Sequence, residues 1–336
     1  FLLNMDNAIA IATLCVALDG LPLALELAAA RMHEMAPNEL LRQIVSARSR
    51  SQLSSTLLQQ TKRNVAERHR TLHDAVAWSY HLLTPAQQAA FMRLGVIVGG
   101  CTFQTAKAIC GTDLATLQTL AAASLIRIEI ESPEGRVTML ETLRSFALEQ
   151  LISADLLNSL QRTHAVYFAE YAEKIFKEVQ GEQQAHWLAQ TRLDHDNFRS
   201  ALRFALEQDD ADIAVTIAGG LWWFWYRQGF LLEGRQWLDA SLSRPIKSAL
   251  TKTQKRQRAI ALNGAGSMAC EQCDYPSAMA WHKEGLALRH ELEDQIGIAT
   301  VLHNMAMVAR CQGEYEHAIQ LLEESLTMIQ ETSDRS

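Results

Sequence analysis

The sequence DYPSA at residues 274–278 returns as EYEHA at residues 314–318, forty residues further along the chain. The same spacing pairs further positions of similar size: Leu262 with Leu302, Gly266 with Ala306, Gly285 with Ser325, and Leu286 with Leu326. A looser copy lies 44 residues before the first one, with Gly234, Trp237 and Leu242 in the places of Ala278, Trp281 and Leu286. Small residues beside large apolar ones at a fixed period predict helical hairpins that stack on one another.

These matched positions resemble the tetratricopeptide pattern. Their period is longer than the usual one of about 34 residues, and His290 stands where that pattern has a proline. We therefore expect tetratricopeptide-like repeats at residues 251–336, preceded at residues 153–250 by the helical hairpins that open the array.

The composition predicts a mainly α fold for the whole chain. Of the 336 residues 48% are hydrophobic, and only 16 are glycine and 6 are proline. Few glycines and prolines disfavour an architecture of strands and tight turns, whereas abundant Ala, Leu, Glu and Gln favour helices. At about 100–200 residues per domain, we expect two or three domains.

Net charge and hydropathy exclude several classes of protein. The formal charge of −7 argues against a general nucleic-acid binder, which needs positive charge to neutralise phosphates. No apolar run reaches the length of about 18 residues that a membrane span requires, and the longest, at residues 8–18, lacks the basic flank of a signal peptide. The six cysteines are scattered and do not suggest a disulfide framework. We expect a cytoplasmic protein without a membrane partner.

Charge is unevenly distributed along the chain. Residues 42–70 hold seven Lys or Arg and one acid, and residues 244–258 hold six bases and no acid. Twelve acids and four bases follow from residue 259 to the end. Such asymmetry indicates segments with different partners or segments that attract one another. Solvated faces and a linker are the simpler interpretation, and a nucleotide or acidic partner near residues 42–70 is the alternative.

Residues 67–152 predict a winged-helix domain with one β-hairpin. Helices are expected at residues 72–83, 86–98, 103–110, 114–125 and 141–151. Residues 126–131 (IRIEIE) alternate apolar and charged side chains, which predicts a half-buried strand, and residues 136–140 can return as its partner after a turn.

This module is not expected to bind DNA directly. Residues 71–150 carry five bases and seven acids, and residues 108–126 contain neither Lys nor Arg. Without positive charge to neutralise phosphates, its affinity for DNA would be poor at physiological salt.

The common motifs of catalysis are absent from these 336 residues. None of the patterns G-x-x-x-x-G-K-[ST], G-x-G-x-x-G, H-E-x-x-H or G-x-S-x-G occurs. The pairs Cys270/Cys273 and His69/His73 have spacings that suit ligands, but no second pair or carboxylate motif completes either one, which favours structural roles. We expect neither catalysis by this segment alone nor a metal site.

Five aromatic residues follow one another in the run WWFWY at residues 222–226. On a helix they point to all sides, so they cannot all share one buried face. The simpler interpretation is that they fill the seam between two repeat layers. The functional alternative is a wall of the concave surface against which a ligand stacks.

Several segments resemble one family of signalling proteins, in the same order along the chain. Residues 18–28 (LDGLPLALELA) contain the Gly-Leu-Pro-Leu-Ala motif of NB-ARC-type ATPases, which belong to the STAND class. Further similar segments are RHRTL at 68–72, AWSY at 77–80, LETLRSFA at 140–147, DNFRSAL at 196–202 and EGRQWL at 233–238. The chain thus resembles the C-terminal part of a bacterial STAND regulator.

The resemblance implies the regulatory and sensor portion of a nucleotide switch. Residues 1–66 would be the helical ARC-type subdomain, which closes with the winged helix over ADP or ATP. A protein or small-molecule signal at the repeats would favour the ATP form, which forms homo-oligomers and activates an effector domain that controls transcription.

The resemblance also bears on how complete this segment is. The P-loop lysine and the Mg²⁺ ligands would lie in an upstream nucleotide-binding domain before Phe1, so only the full-length protein would be an ATPase. Two alternatives remain open. One is a protein–protein interaction scaffold of helical repeats without nucleotide binding, and the other is a regulator that binds DNA through the winged helix.

The family motifs further imply which residues contact the nucleotide. On the adenine side these are Gly20, Leu21, Pro22 and Leu23, where a proline at a helix start offers a rigid apolar face. Met139, Leu140 and Glu141 occupy the position of the family's Met-His-Asp motif, whose histidine reaches the β-phosphate. Leu140 cannot donate a hydrogen bond to phosphate, so His69 or Arg70 are candidates to supply that contact.

The hydrophobic pattern also predicts core residues. Residues 23–32 favour a helix that is thoroughly buried. The side chains expected in the core are Leu23, Leu27, Trp78, Phe91, Leu94, Leu143 and Phe146.

Overall fold

The computed structural model describes residues 5–18, 22–32, 35–44, 73–129, 135–179, 181–245 and 249–333. The chain divides into two compact units, Phe1–Leu160 and Gln161–Ser336. Helices dominate both, and the strands among the described residues are three short ones in the first unit. The prediction of a mainly α fold is confirmed, whereas the finer domain boundaries stay predictions.

The elements follow one another with short connections. Those up to residue 153 are helices α1 (Met5–Ala17), α2 (Pro22–Arg31), α3 (37–44), α4 (73–81), α5 (Pro85–Leu94), α6 (Phe103–Cys110), α7 (Leu114–Ala122) and α8 (Glu141–Ser153), with strands β1 (Cys101–Thr102), β2 (Arg127–Glu129) and β3 (Arg136–Thr138). The later helices are α9 (Leu157–Glu178), α10 (Gln184–Leu193), α11 (His195–Glu207), α12 (Ala211–Gln228), α13 (Leu231–Leu242), α14 (Lys252–Glu271), α15 (Tyr275–Glu291), α16 (Gln295–Gln312) and α17 (Tyr315–Ser333).

Helix α2 is amphipathic rather than buried on all sides. Its buried face consists of Ala24, Leu27, Ala28 and Arg31, which are spaced three or four residues apart. Leu23 lies about 100° away from Ala24 around the helix and is only half-buried, so its prediction as a core residue is wrong. The other expected core residues are all buried: Leu27, Trp78, Phe91, Leu94, Leu143 and Phe146.

Replacement of Leu27 by alanine is expected to destabilise the protein by about 2–5 kcal/mol, because it leaves a cavity at a fully buried site. Leu27 is 1% exposed, whereas Leu114, at the start of α7, is 47% exposed. Leu114→Ala is therefore the matched control and should cost well under half as much. Urea unfolding followed by circular dichroism measures both. Equal losses for the two variants would contradict the burial of α2.

The sheet has one strand more than the sequence predicts. Its order is β1-β3-β2, and Cys101 pairs with Val137 in the antiparallel register of β1 and β3. Strand β1 has two residues, too few for an alternating pattern to show. It depends on Gly100, which has φ +97° and whose missing Cβ would lie 2.7 Å from the Val137 carbonyl oxygen. Only glycine allows this close approach of two backbones.

The predicted hairpins of the repeat array are present as α12–α13, α14–α15 and α16–α17, which pack in sequence. The small residues of the repeat lie where helices approach each other. A Cβ added to Gly234 would meet Met268 at 2.7 Å, and one added to Gly266 would meet the His282 ring at 2.5 Å. The matched positions Leu262 and Leu302 are buried alike.

The basic stretch at residues 244–258 is attracted to acids of its own unit. Its ion pairs include Arg244 with Asp209 (3.5 Å), Lys255 with Glu291 (2.6 Å) and Arg258 with Glu284 (2.8 Å). Two of these acids lie in the acidic region after residue 259. Of the two explanations of the charge asymmetry, mutual attraction therefore holds for this stretch.

Candidate functional site

The first candidate site is formed by residues of the family-like motifs in the first unit. Pro22 is the first residue of α2 and is exposed, so its ring is accessible at the helix start. Gly20, Leu21, His69 and Arg70 lie outside the described residues, as does the basic segment at residues 45–72.

The segment 139–141 joins β3 to α8. Leu140 is the N-cap residue of α8, makes no side-chain capping hydrogen bond and is 37% exposed. Glu141 accepts two hydrogen bonds from Arg144, at 2.7 and 2.8 Å, and these lower the pKa of its carboxyl group. Arg144 is therefore engaged by its own helix.

A cleft of about 410 Å³ brings parts of the two motifs together. Glu26, four residues after Pro22 in α2, lines it together with Leu140 and residues of β2. Its described charged side chains are one guanidinium, that of Arg127, and the two carboxylates of Glu26 and Glu129. This set does not suit a phosphate group. The adenine contact of Pro22 stays a prediction.

The second candidate site lies in the repeat unit, on the aromatic run of α12. Phe224 and Trp225 are fully buried and Trp222 is 6% exposed, whereas Trp223 and Tyr226 are half-buried. Phe224 and Trp225 fill the seam between helices, as the simpler interpretation expects. Trp222, Trp223 and Tyr226 line a groove, and the ligand wall stays a prediction.

This repeat groove has a volume of about 530 Å³. Trp223 and Tyr226 of α12 form one side, with their rings stacked at 5.7 Å and an interplanar angle of 16°. The Tyr226 hydroxyl donates to Glu271 Oε1 at 2.9 Å, which raises the pKa of Tyr226. His282 and Arg289 of α15 and Asn304 of α16 also line the groove.

His282 is a polar residue of the groove that is almost completely buried. Its ring is 1% exposed and packs where Gly266 leaves room for it. Burial lowers the pKa of His282 to about 4, so the ring is neutral at physiological pH. Neither of its nitrogens has a hydrogen-bond partner among the described residues. The repeat pattern placed large residues beside small ones here, but it gave no signal for a buried polar one.

A half-buried ion-pair network joins two of the family-like segments. Arg199, in α11, donates to both carboxylate oxygens of Glu233, in α13, at 2.7 and 2.6 Å. His195 Nε2 lies 3.3 Å from the same carboxylate and accepts a hydrogen bond from Trp225 Nε1 at 3.2 Å. A bidentate Arg–carboxylate pair fixes orientation as well as distance. We assign these residues a structural role in holding α11, α12 and α13 together.

Other predicted chemistry has structural explanations. Cys273 follows the end of α14 in a turn with φ +60°, as its place at a helix end predicted. His73 lies 3.1 Å from Glu149 and against the Phe146 ring. Within the described ranges, no cluster of three or more His, Cys, Asp and Glu side chains has a metal-binding arrangement. Among these residues there is also no helix with the length and apolar character needed to cross a bilayer.

Comparison with known proteins supports the repeat prediction directly. Residues 257–331 match the tetratricopeptide repeat family. A solved structure with detectable similarity is a STAND protein with a tetratricopeptide repeat sensor from Pyrococcus horikoshii, at 13% identity over 93% of this chain and 54% of that one. Its TM-score is 0.30, which is too low to support an argument about the arrangement.

Curated relatives come from mycobacteria. Putative HTH-type transcriptional regulators of Mycobacterium tuberculosis and Mycobacterium bovis are 28% identical over 312 residues, which is 90% of this chain and 34% of theirs. An uncharacterized Mycobacterium tuberculosis protein is 34% identical over 159 residues, which is 45% of this chain and 39% of that one. The chain thus spans about a third of the length of these relatives. With the repeat match, these alignments show similarity to putative transcriptional regulators and to tetratricopeptide repeat proteins.

Proposed function

We propose that this chain is the regulatory and sensor portion of a STAND-class signalling protein that switches between ADP and ATP forms. The observation that carries the proposal is the union, in one chain, of tetratricopeptide repeats with a first unit that bears the Gly-Leu-Pro-Leu-Ala motif. Alignment over 90% of the chain with putative transcriptional regulators supports a role in controlling transcription through an effector domain.

In this proposal each of the two units has its own role. The exposed Pro22 at the start of α2 contacts the adenine ring, and the repeats receive a signal. The cationic groups that hold the phosphates come from elsewhere in the full-length protein, since the described cleft offers one guanidinium against two carboxylates. A signal shifts the switch only if it binds the two nucleotide states with different affinities.

Replacement of Pro22 by alanine in the full-length protein is expected to weaken ADP binding about fivefold, which is about 1 kcal/mol of apolar contact. Pro85 is the matched control, because it is also exposed and also the first residue of a helix. Pro85→Ala should leave the affinity unchanged. Isothermal titration calorimetry measures both variants.

A second variant tests the phosphate side. Leu140→His restores the donor that the family's motif carries and should tighten ADP binding, since a hydrogen bond to a charged group is stronger than a neutral one. If the full-length wild-type protein binds no ADP, the nucleotide switch is wrong. The interaction scaffold of helical repeats would then be the better description. Equal effects of Pro22→Ala and Pro85→Ala would remove Pro22 from the site.

A further inference from the structure

The repeat groove contains an excess of buried hydrogen-bond donors without partners. Within the described part of the chain, the groove atoms without a partner are Trp222 Nε1, Trp223 Nε1, Arg289 Nε and both ring nitrogens of His282, and all four of these residues line the groove. A buried polar atom without a partner costs free energy, so a concentration of them in one place requires an explanation. A ligand with acceptor atoms provides one.

The hydrogen-bonding groups of the groove indicate which polar atoms a ligand would carry at its edge. An indole nitrogen and a guanidinium nitrogen can only donate, and a neutral imidazole supplies one donor and one acceptor. The four side chains therefore present four N–H donors and one acceptor nitrogen. A complementary ligand carries several acceptors, such as carbonyl oxygens or ring nitrogens.

The stacked pair of Trp223 and Tyr226 defines the shape of the ligand. Their rings are nearly parallel and give the groove a flat aromatic side, on which another planar ring packs well. The volume of about 530 Å³ lies within the range of about 300–1,000 Å³ that is usual for small-molecule sites.

The charges of the groove argue against an ionised ligand. Its charged lining residues are Glu271, which accepts from Tyr226, and Arg289, which pairs with Asp294. Both are already engaged, so an ionised group would enter the groove without a free counter-charge, which is costly.

We propose that the repeat groove binds an uncharged, planar heteroaromatic small molecule whose ring edge carries carbonyl or ring-nitrogen acceptors. The ring stacks on Trp223, and its acceptors receive hydrogen bonds from these donors once their side chains turn toward the groove, since each donor atom is buried in this structure. As a signal-binding site the groove rests on the proposed sensor function, but binding itself is measurable without any nucleotide.

The test uses defined probes and the whole chain. Caffeine and lumazine are planar, uncharged and rich in acceptors, whereas toluene is planar without acceptors and 2-naphthoate is charged. Ligand-observed NMR at pH 7 should show binding of caffeine or lumazine with a Kd below about 1 mM. Toluene and 2-naphthoate should bind at least tenfold more weakly.

Three variants locate the binding. Trp223→Ala should weaken it at least tenfold, and His282→Phe, which keeps a ring in the buried space, about fivefold. Trp281→Ala is the control, because Trp281 is also half-buried on α15 but does not line the groove. It should bind like the wild type, and circular dichroism confirms that each variant is folded.

The outcomes separate this inference from the proposed function. The inference is overturned if neither acceptor-rich probe binds, if Trp223→Ala and Trp281→Ala bind alike, or if 2-naphthoate or a capped peptide binds better. If a probe binds in the groove but does not alter ADP release from the full-length protein, the site stands and the sensor role fails.

Discussion

Replacement of Trp225 by alanine is expected to lower the free energy of unfolding of the repeat unit by about 3–5 kcal/mol. Trp225 is fully buried, and it is the largest of the side chains with no exposed surface. Its Nε1 donates to His195 Nε2, and His195 lies against the Glu233 carboxylate that Arg199 binds. The substitution therefore leaves a cavity and removes a hydrogen-bond donor to His195.

The two contributions can be separated by a second variant. Trp225→Phe keeps most of the ring but loses the N–H, and should cost about 1–2 kcal/mol for the lost hydrogen bond and a small void. Trp281→Ala serves as the half-buried control and should cost less than Trp225→Ala. Urea unfolding followed by circular dichroism gives the three values. If Trp225→Phe is as damaging as Trp225→Ala, packing of the ring is not the main contribution.

The sequence predicts those features of the fold that depend on local spacing. The forty-residue register places Leu262 and Leu302 in the core, and Thr84 with Pro85 marks the start of α5, where the Thr84 and Gln87 side chains form a capping box. Such signals arise within one turn of a helix or within one hairpin. They are therefore visible in a single sequence.

Features that depend on pairing between distant segments are not predicted. Arg199 binds Glu233 across 34 positions, and β1 exists because Gly100 allows close approach to Val137. Neither partner is marked by any periodicity. Leu23 was misplaced for a related reason, since apolar content alone does not give the rotation of a helix about its axis.

At the candidate sites, too, the sequence identifies local motifs but not the contacts between distant residues. The motif residues Pro22 and Leu140 were identified by resemblance, and the structure adds that Glu26 and Leu140 line one cleft. The aromatic run at residues 222–226 predicted either a seam or a ligand wall, and three-dimensional packing was needed to show which of its members are buried and which line a groove. The unpaired nitrogens of His282 became visible only once its neighbours were known.

Stability should fall steeply in mild acid because two buried histidines resist protonation. Burial lowers the pKa of His164, although a hydrogen bond with Asn197 opposes this, and burial lowers the pKa of His282; both fall from 6.5 to about 4. Above pH 6.5 the two rings are neutral in the folded and the unfolded chain. Between pH 6.5 and 4 the unfolded chain takes up protons that the folded chain does not, so acid favours unfolding.

The size of this effect follows from the pKa difference. Lowering the pH from 7.5 to 5 should cost about 2 kcal/mol for each histidine, because the unfolded ring is protonated about 1.5 pH units below its pKa. Urea unfolding of the repeat unit at the two pH values measures the loss. His164→Gln and His282→Phe should each remove about 2 kcal/mol of the pH dependence, whatever their effect at pH 7.5. A double variant with the same pH dependence as the wild type would show that other groups, such as the buried His195, cause the acid sensitivity.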